Sequence, residues 1–304
     1  MQLTNRKRGR AAAVATAALL AASALAACGD SDGSSGGSDA GPQKSPLYKE
    51  EVHKLLPEDV VKKGFVVDGV SNASPPTSYV DKNGKYAGYE AEMSALFSQV
   101  MGIEIQTPTP IAFDGIVPGI AAGRFDFGNM NDTVVRQKTM DFVDLLYAGP
   151  GLLVKEGNPL KVDENSLCGH TVSGQKGSVY TINTLPDMSA KCTAAGKPAI
   201  KVTVFPDTNA AILALNAGRT DVVMDDTQTV AWIAKETPGL EFVETSIKSG
   251  LWGYGFTKGS KLVPAFKAAA EELHKNGKLD AILDKYDIKS LRVENISVNG
   301  TKEG

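Results

Sequence analysis

The sequence predicts an α/β protein folded as two lobes around one cleft. Three observations predict it. From residue 47 onward, strand-like and helix-like segments alternate, the pattern of layered α/β folds. The stretch Ile120-Ala121-Ala122-Gly123-Arg124-Phe125-Asp126-Phe127 is echoed by Leu215-Asn216-Ala217-Gly218-Arg219-Thr220-Asp221-Val222. Each copy reads as a helix end, a glycine, an arginine, one residue, an aspartate and a strand. Ligands of open α/β sheets lie beyond the carboxyl ends of strands, and the residues that follow the two copies are polar: Asn129 to Asn131, and Asp225 with Asp226. Two lobes built on one helix-to-strand turn bring those ends to a common cleft. Chance reuse of a frequent connection is the alternative.

The elements follow in order. An apolar run after Gly64 predicts a strand over 65–70. Asp81-Lys82-Asn83-Gly84 is a hairpin turn. Met93, Leu96, Phe97 and Val100 recur at helical spacing over 90–100, and Gly102 ends that helix. A strand is expected at 103–106, a helix at 116–122 stopped by Gly123, and a strand at 125–128. Thr133 is placed to cap a short helix to 138. The second series has a strand at 171–173, a helix at 178–185 and a strand at 201–205. Asp207 caps a helix to 217, which Gly218 ends; a strand at 221–224 and a helix at 227–235 follow. Helices over 264–275 and 279–286 close the series. Residues 293–304 read as a polar, frayed tail.

The N-terminus reads differently. Arg6, Lys7, Arg8 and Arg10 precede an alanine-rich apolar run over 11–27 that ends in Leu25-Ala26-Ala27-Cys28. Basic start, apolar middle and small-residue end make an export signal. A membrane-spanning helix is the alternative, but the run is at the short end of that range and its alanines are weakly apolar. The ending resembles a bacterial lipoprotein signal, which implies cleavage after residue 27 and lipidation of Cys28. Residues 28–46 are Gly, Ser, Asp and Pro with almost nothing to bury. They read as a tether with a reach of about 20 Å.

Composition limits the rest. The chain has 304 residues, 42% hydrophobic and 22% charged, with net charge −3. That is ordinary for a globular protein and gives no electrostatic reason to expect nucleic acid as a partner. With Cys28 carrying lipid, Cys168 and Cys192 remain, and in an exported protein an even remainder suggests a disulfide.

Five ordered blocks carry a family resemblance. They are Gly84-Lys85-Tyr86-Ala87-Gly88-Tyr89-Glu90-Ala91-Glu92-Met93; Phe113-Asp114-Gly115-Ile116-Val117-Pro118-Gly119-Ile120 with Gly123-Arg124-Phe125-Asp126; Arg136-Gln137-Lys138-Thr139-Met140-Asp141-Phe142; Gln175-Lys176-Gly177-Ser178; and Gly218-Arg219-Thr220-Asp221-Val222-Val223-Met224-Asp225-Asp226. Together they resemble the type II periplasmic solute-binding proteins of ABC transporters, in the polar amino-acid group (solute-binding protein family 3). The resemblance implies two α/β lobes, 47–149 plus 254–292 and 155–248, joined by two crossing hinge strands near 150–154 and 249–253. Glycines 149, 151, 250, 253 and 255 suit such a hinge.

It also implies a site. An amino acid is a zwitterion, so a closed cleft must pair both charges. By family position Arg136 holds the carboxylate, since its planar fork matches one, with the backbone amides of Asn131 and Ser178. Asp226 holds the ammonium, with the carbonyl of Asn129. Asp225 competes with Asp226, and a helix-capping role for the acid is the alternative. Phe113 forms an apolar wall. Ser74 stands where the family has a stacking aromatic, Thr77 where it has phenylalanine, and Ser71 where binders of basic amino acids carry an acid. The last departure disfavours a basic side chain.

The implied function is capture of an amino-acid-like zwitterion by lobe closure and delivery to an ABC permease and its ATPase. The protein is expected to be a monomer that touches the membrane only through the Cys28 lipid and carries no cofactor. A sensory lipoprotein is the alternative. A dehydratase-like enzyme on the same scaffold is another, but His53, His170 and His274 form no catalytic set, and Cys168 with His170 is a weak metal signal.

Overall fold

The computed structural model describes residues 45–71, 75–247 and 250–302. Cys28, the export segment and Ser74 lie outside them. The chain opens with α1 (Glu50–His53) and α2 (Glu58–Lys63), which feed β1 (Phe65–Gly69). A hairpin of β2 (Tyr79–Val80) and β3 (Tyr86–Ala87) leads into α3 (Tyr89–Met101) and β4 (Glu104–Gln106). Then come α4 (Ile116–Ala121), β5 (Phe127–Asp132), α5 (Val134–Gln137) and β6 (Met140–Ala148). The second lobe holds β7 (Pro150–Lys155), β8 (Thr171–Gln175), a π-helical turn (Tyr180–Thr184) running into α6 (Leu185–Ala194), β9 (Lys201–Phe205), α7 (Thr208–Asn216), β10 (Val222–Asp226), α8 (Thr227–Glu236) and β11 (Leu240–Val243). The chain returns through β12 (Gly250–Thr257), α9 (Val263–Lys275), α10 (Lys278–Lys285) and β13 (Arg292–Val298).

Each lobe has its own sheet. The first runs β13-β6-β12-β5-β1-β4 and the second β11-β7-β10-β8-β9. The pairs β1/β4, β1/β5, β8/β9 and β8/β10 are parallel. The first core centres on stacked and edge-on aromatics: Tyr254 and Phe266 pack on each other and on both Phe97 and Phe127, with ring centroids 4.8–5.8 Å apart. In the second lobe, Leu152, Val222 and Met224 face one apolar cluster while Leu153 and Val223 face another. That sheet is therefore buried on both faces, as parallel α/β sheets are.

The echoed turn is the same structure twice. Gly123 and Gly218 both take φ +69°, the left-handed helix end that glycine tolerates best. Asp126 then accepts the amide of Val67 (2.7 Å), and Asp221 that of Thr171 (2.8 Å). In each lobe an aspartate pins the start of its strand to the parallel neighbour.

Several expectations are corrected. Residues beyond Arg292 do not fray: β13 pairs with β6, and Val293 is buried. The alternation of apolar Val293, Ile296 and Val298 with polar residues is short and irregular, which hid it. Ser45, assigned to the tether, accepts the amide of Tyr48 and bonds Gln99. The chain changes sheet at Gly149, between β6 and β7, and again between β11 and β12, rather than within the strands that follow. Gly151, Gly253 and Gly255 lie within β7 and β12, where space is tight. A Cβ at Gly253 would lie 1.9 Å from the carbonyl oxygen of Val143, and one at Gly151 would lie 2.5 Å from Val230. Close packing requires these glycines. Cys168 and Cys192 form the expected disulfide.

Candidate ligand-binding site

Arg136 is positioned by a single helical turn. Thr133 leaves β5 with an extended backbone, and its hydroxyl accepts the Arg136 amide (3.1 Å), the cap read from the sequence. The guanidinium folds back and donates to the carbonyls of Asn131 (2.8 Å) and of Gly177 in the other lobe (3.2 Å). Phe113 lies beneath it, ring centroid 5.8 Å away. Burial lowers its pKa to about 10, opposed by Asp226, Tyr180 and Asp132, so it stays a cation near neutrality.

Asp226 ends β10, directly before α8. It makes no side-chain cap there. Its Oδ1 instead accepts from the Tyr180 hydroxyl and from Asn131 Nδ2 (3.3 Å) across the cleft. Asp225 turns elsewhere: it accepts from Thr208 Oγ1 (2.5 Å) and from the amide of Asp226. Burial raises the pKa of both acids; the Asp226 charge adds to the rise at Asp225, and Tyr180, Asn131 and Arg136 offset the rise at Asp226.

The lobes meet through further pairs. Thr77 Oγ1 and Thr229 Oγ1 are 3.0 Å apart, Gln228 donates to the Tyr89 hydroxyl (3.2 Å), and Lys176 pairs with Asp114 (2.8 Å). Thr77, read as a lost apolar wall, thus serves as a contact between lobes. Between them lies a cavity lined by Ser71, Phe113, Asn129, Asn131, Ser178 and Asp226, all predicted from the sequence; Arg136, also predicted, is not among the lining residues.

One detail of the prediction is corrected. The Ser178 amide donates to the Gln175 carbonyl (3.2 Å), because Gly177 takes φ +79° and closes a tight turn there. The helix nevertheless starts at Ser178, whose carbonyl accepts the Ile182 amide (3.2 Å) and whose Oγ accepts the Thr181 amide (3.3 Å), before the segment winds as a π turn.

The cavity is also lined by residues the sequence reading did not assign: Glu90, Gln175, Tyr180, Thr208, Thr229 and Trp252. Glu90 stands in the first turn of α3, nearly inaccessible, and accepts from the Tyr86 hydroxyl (3.2 Å). Burial, and then the neighbouring Asp68, push its pKa up to about 8. Asp68 is fully buried in β1, bonded by Ser94 (3.0 Å) and Asn129 Nδ2 (3.4 Å); burial raises it to about 7. The side-chain oxygens of Asn129 and Gln228 are buried with no hydrogen-bond partner among the described residues. The signal for this acidic wall was present. Glu90 and Ser94 share one helical face with Phe97 and Met101, so a carboxylate sits on the buried stripe, and Asp68 interrupts an apolar strand.

The histidines take structural places. His53 bonds the Met101 carbonyl (2.7 Å), His170 lies 3.6 Å from Asp221, and His274 meets the Glu294 carbonyl (3.1 Å). The disulfide removes the Cys168 thiolate, so the Cys168/His170 metal reading fails. No group of three His, Cys, Asp or Glu side chains that could hold a metal occurs among the described residues. Nor is any helix among them long and apolar enough to cross a membrane.

Two α/β lobes meeting over a cavity lined by buried acids define a solute-binding architecture. The chain belongs to the bacterial extracellular solute-binding proteins, family 3, whose model matches residues 66–289. It is 28% identical over 292 residues to the arginine-binding protein ArgT of Corynebacterium glutamicum, covering 95% of each chain. A solved ancestral arginine-binding protein bound to arginine superposes with a TM-score of 0.65 at 29% identity, over 73% of this chain and 98% of that one. The ancestral amino acid-binding protein AncCDT-1, a precursor of cyclohexadienyl dehydratase, matches at TM-score 0.64 and 25% identity, over 77% and 99%.

Proposed function

We propose that this protein is the lipid-anchored substrate-binding component of an ABC importer for a cationic amino acid, of which L-arginine is the representative. Arg136 takes the α-carboxylate and Asp226 the α-ammonium, with Asn129, Asn131 and the turn at Ser178 completing that end. The side-chain cation faces Glu90, backed by Asp68. The observation that carries the reading is the acidic lining of the cleft: Glu90, Asp225 and Asp226 line it, while Arg136 interacts with Asp226 from beside it. A neutral zwitterion pairs only the Arg136 and Asp226 end; one extra positive charge gives Glu90 a partner that favours its ionised form. The absence of an acid at Ser71 pointed away from basic ligands, but Glu90 supplies the acid from the helix instead. The arginine-binding names of the relatives agree with this charge argument.

Closure follows from where the parts sit. Arg136 and Glu90 belong to the first lobe and Asp226 to the second, so a ligand held by all three favours the closed state by its extra contacts there. The closed protein, expected as a monomer tethered through Cys28, then presents its load to the permease. A thermal-shift screen of residues 47–304 against the amino acids tests the reading. Ligand at 100 times its dissociation constant stabilises by about 2.7 kcal/mol. Shifts with arginine or lysine that vanish in Arg136→Ala support it; a shift only with neutral or acidic amino acids overturns it.

A further inference from the structure

The segment beyond β13 reaches the helix that carries Arg136. Thr301 donates its amide to Asp132 Oδ2 (3.1 Å), and its carbonyl accepts from Gln137 Nε2 (2.9 Å). The same Gln137 amide lies 2.9 Å from both carboxylate oxygens of Asp132. Thr301 Oγ1 accepts the amide of Leu251, at the start of β12 where the chain re-enters the first lobe. Upstream, Ser297 Oγ (2.7 Å) and the Gly300 amide (2.8 Å) both donate to Asp144 Oδ2, and Asn299 bonds Phe142 and Asp141.

Asp132 and Asp144 are both fully buried. Buried carboxylates need donors, and here the terminal segment provides several of them. The fit is specific: a Cβ at Gly300 would lie 2.3 Å from Ser297 Oγ and 2.9 Å from Asp144 Oδ2.

What this segment holds is a one-turn element of the site. α5 has four residues, and a single helical turn does not stabilise itself. One end is fixed by the Thr133 cap. The other end is Gln137, next to Arg136, and its fixed point is the Asp132–Thr301 contact. Asp132 in turn follows Asn131, whose carbonyl receives the guanidinium.

We propose that residues 297–302 form a strap that positions Arg136, with Gln137 and Asp132 as the positioning residues through which it acts. The chain's C-terminal segment thereby sets the grip on the ligand's α-carboxylate, which rests on the reading of Arg136 given above. The strap does not touch ligand; it fixes the turn from which the guanidinium projects.

Titration calorimetry of three variants with L-arginine and with agmatine, which keeps the guanidinium and lacks the carboxylate, separates this from a general structural role. The variants are Arg136→Ala, Gln137→Ala and a chain ending at Val298. Arg136→Ala is expected to abolish the preference for arginine over agmatine; if it leaves the preference intact, the carboxylate role itself is wrong and the strap has nothing to position. With that role established, Gln137→Ala and the shortened chain are expected to weaken arginine about tenfold, the size of one lost charge-assisted bond, and to leave agmatine nearly unchanged. Equal weakening of both ligands, or of neither, overturns the strap. If the shortened chain does not fold, Gln137→Ala alone decides, because it leaves the contacts to Asp144 in place.

Discussion

Arg136 of the first lobe donates to the carbonyl of Gly177 in the second, at 3.2 Å. The residue proposed to hold the ligand's carboxylate is thus also a bond between lobes. Removing it strikes both ligand and closure. Arg136→Ala is expected to weaken arginine by about 3 kcal/mol or more, at least a hundredfold, because a carboxylate is left without its charged partner. Titration calorimetry reads the loss directly; an affinity within about threefold of the parent removes Arg136 from the site.

Gly177 itself makes a second prediction. Its φ is +79°, and a Cβ there would lie 3.0 Å from the Cα and Cβ of Asp114 in the opposite lobe. Gly177→Ala strains the turn and presses the lobes apart. Arginine affinity should fall while each lobe keeps its fold, since neither core is touched. Small-angle scattering with saturating arginine should show a more open particle than the parent. An unchanged affinity and compaction would mean that this contact does not govern closure.

The acidic wall predicts a pH dependence. Glu90 is raised to about 8 by burial and by Asp68, and Asp68 to about 7 by burial. Both fold with more protons bound than the unfolded chain holds. Stability is therefore greatest below the unfolded values and declines as pH rises from about 4 through 8. The thermal midpoint of the ligand-free protein should be lower at pH 8 than at pH 5.5. Arginine binding favours the ionised carboxylates, so its affinity should rise over the same interval, with proton release visible as a dependence of binding heat on buffer. A flat affinity from pH 6 to 8.5 contradicts a role for these acids.

Two cysteine predictions address export. The Cys168–Cys192 bridge spans 24 residues, a loop whose constraint contributes about 3 kcal/mol in the chain-entropy picture. Replacing both cysteines by serine should lower the thermal midpoint without changing arginine selectivity, since the bridge lies away from the cleft. Cys28→Ser should release the protein from the membrane fraction into the medium or periplasm. Retention on the membrane would point to an uncleaved N-terminal span instead.

Much of this was legible in the sequence, for identifiable reasons. The echoed turn announced both lobes because a left-handed glycine and a strand-pinning aspartate leave a fixed signature, and Asp126 and Asp221 do make the same bond. Thr133, Asp207 and the glycine helix ends were readable because caps are local chemistry. The positions of Arg136, Asp226 and Phe113 came from the family blocks, and those of Asn129 and Asn131 from the residues beyond the echoed strand. Long-range pairing was not legible: β6, β7 and β11 carry no distinctive period, and β13 finds its partner β6 about half the chain away. Glu90 was overlooked because an acid in a helix's first turn ordinarily faces water and complements the helix dipole. Its burial depends on where Tyr86 and Asp68 fall in three dimensions.

The most direct test of the central claim compares L-arginine with L-citrulline, which has nearly the same shape and α-groups but a neutral side chain. Titration calorimetry is run on the parent and on Glu90→Gln. The account predicts that the parent prefers arginine by about a hundredfold, the scale of one buried charge pair, and that Glu90→Gln shrinks the preference sharply. Equal affinity for the two ligands in the parent would contradict the account, because the carboxylates that line the cleft would then not be reading the charge of the side chain.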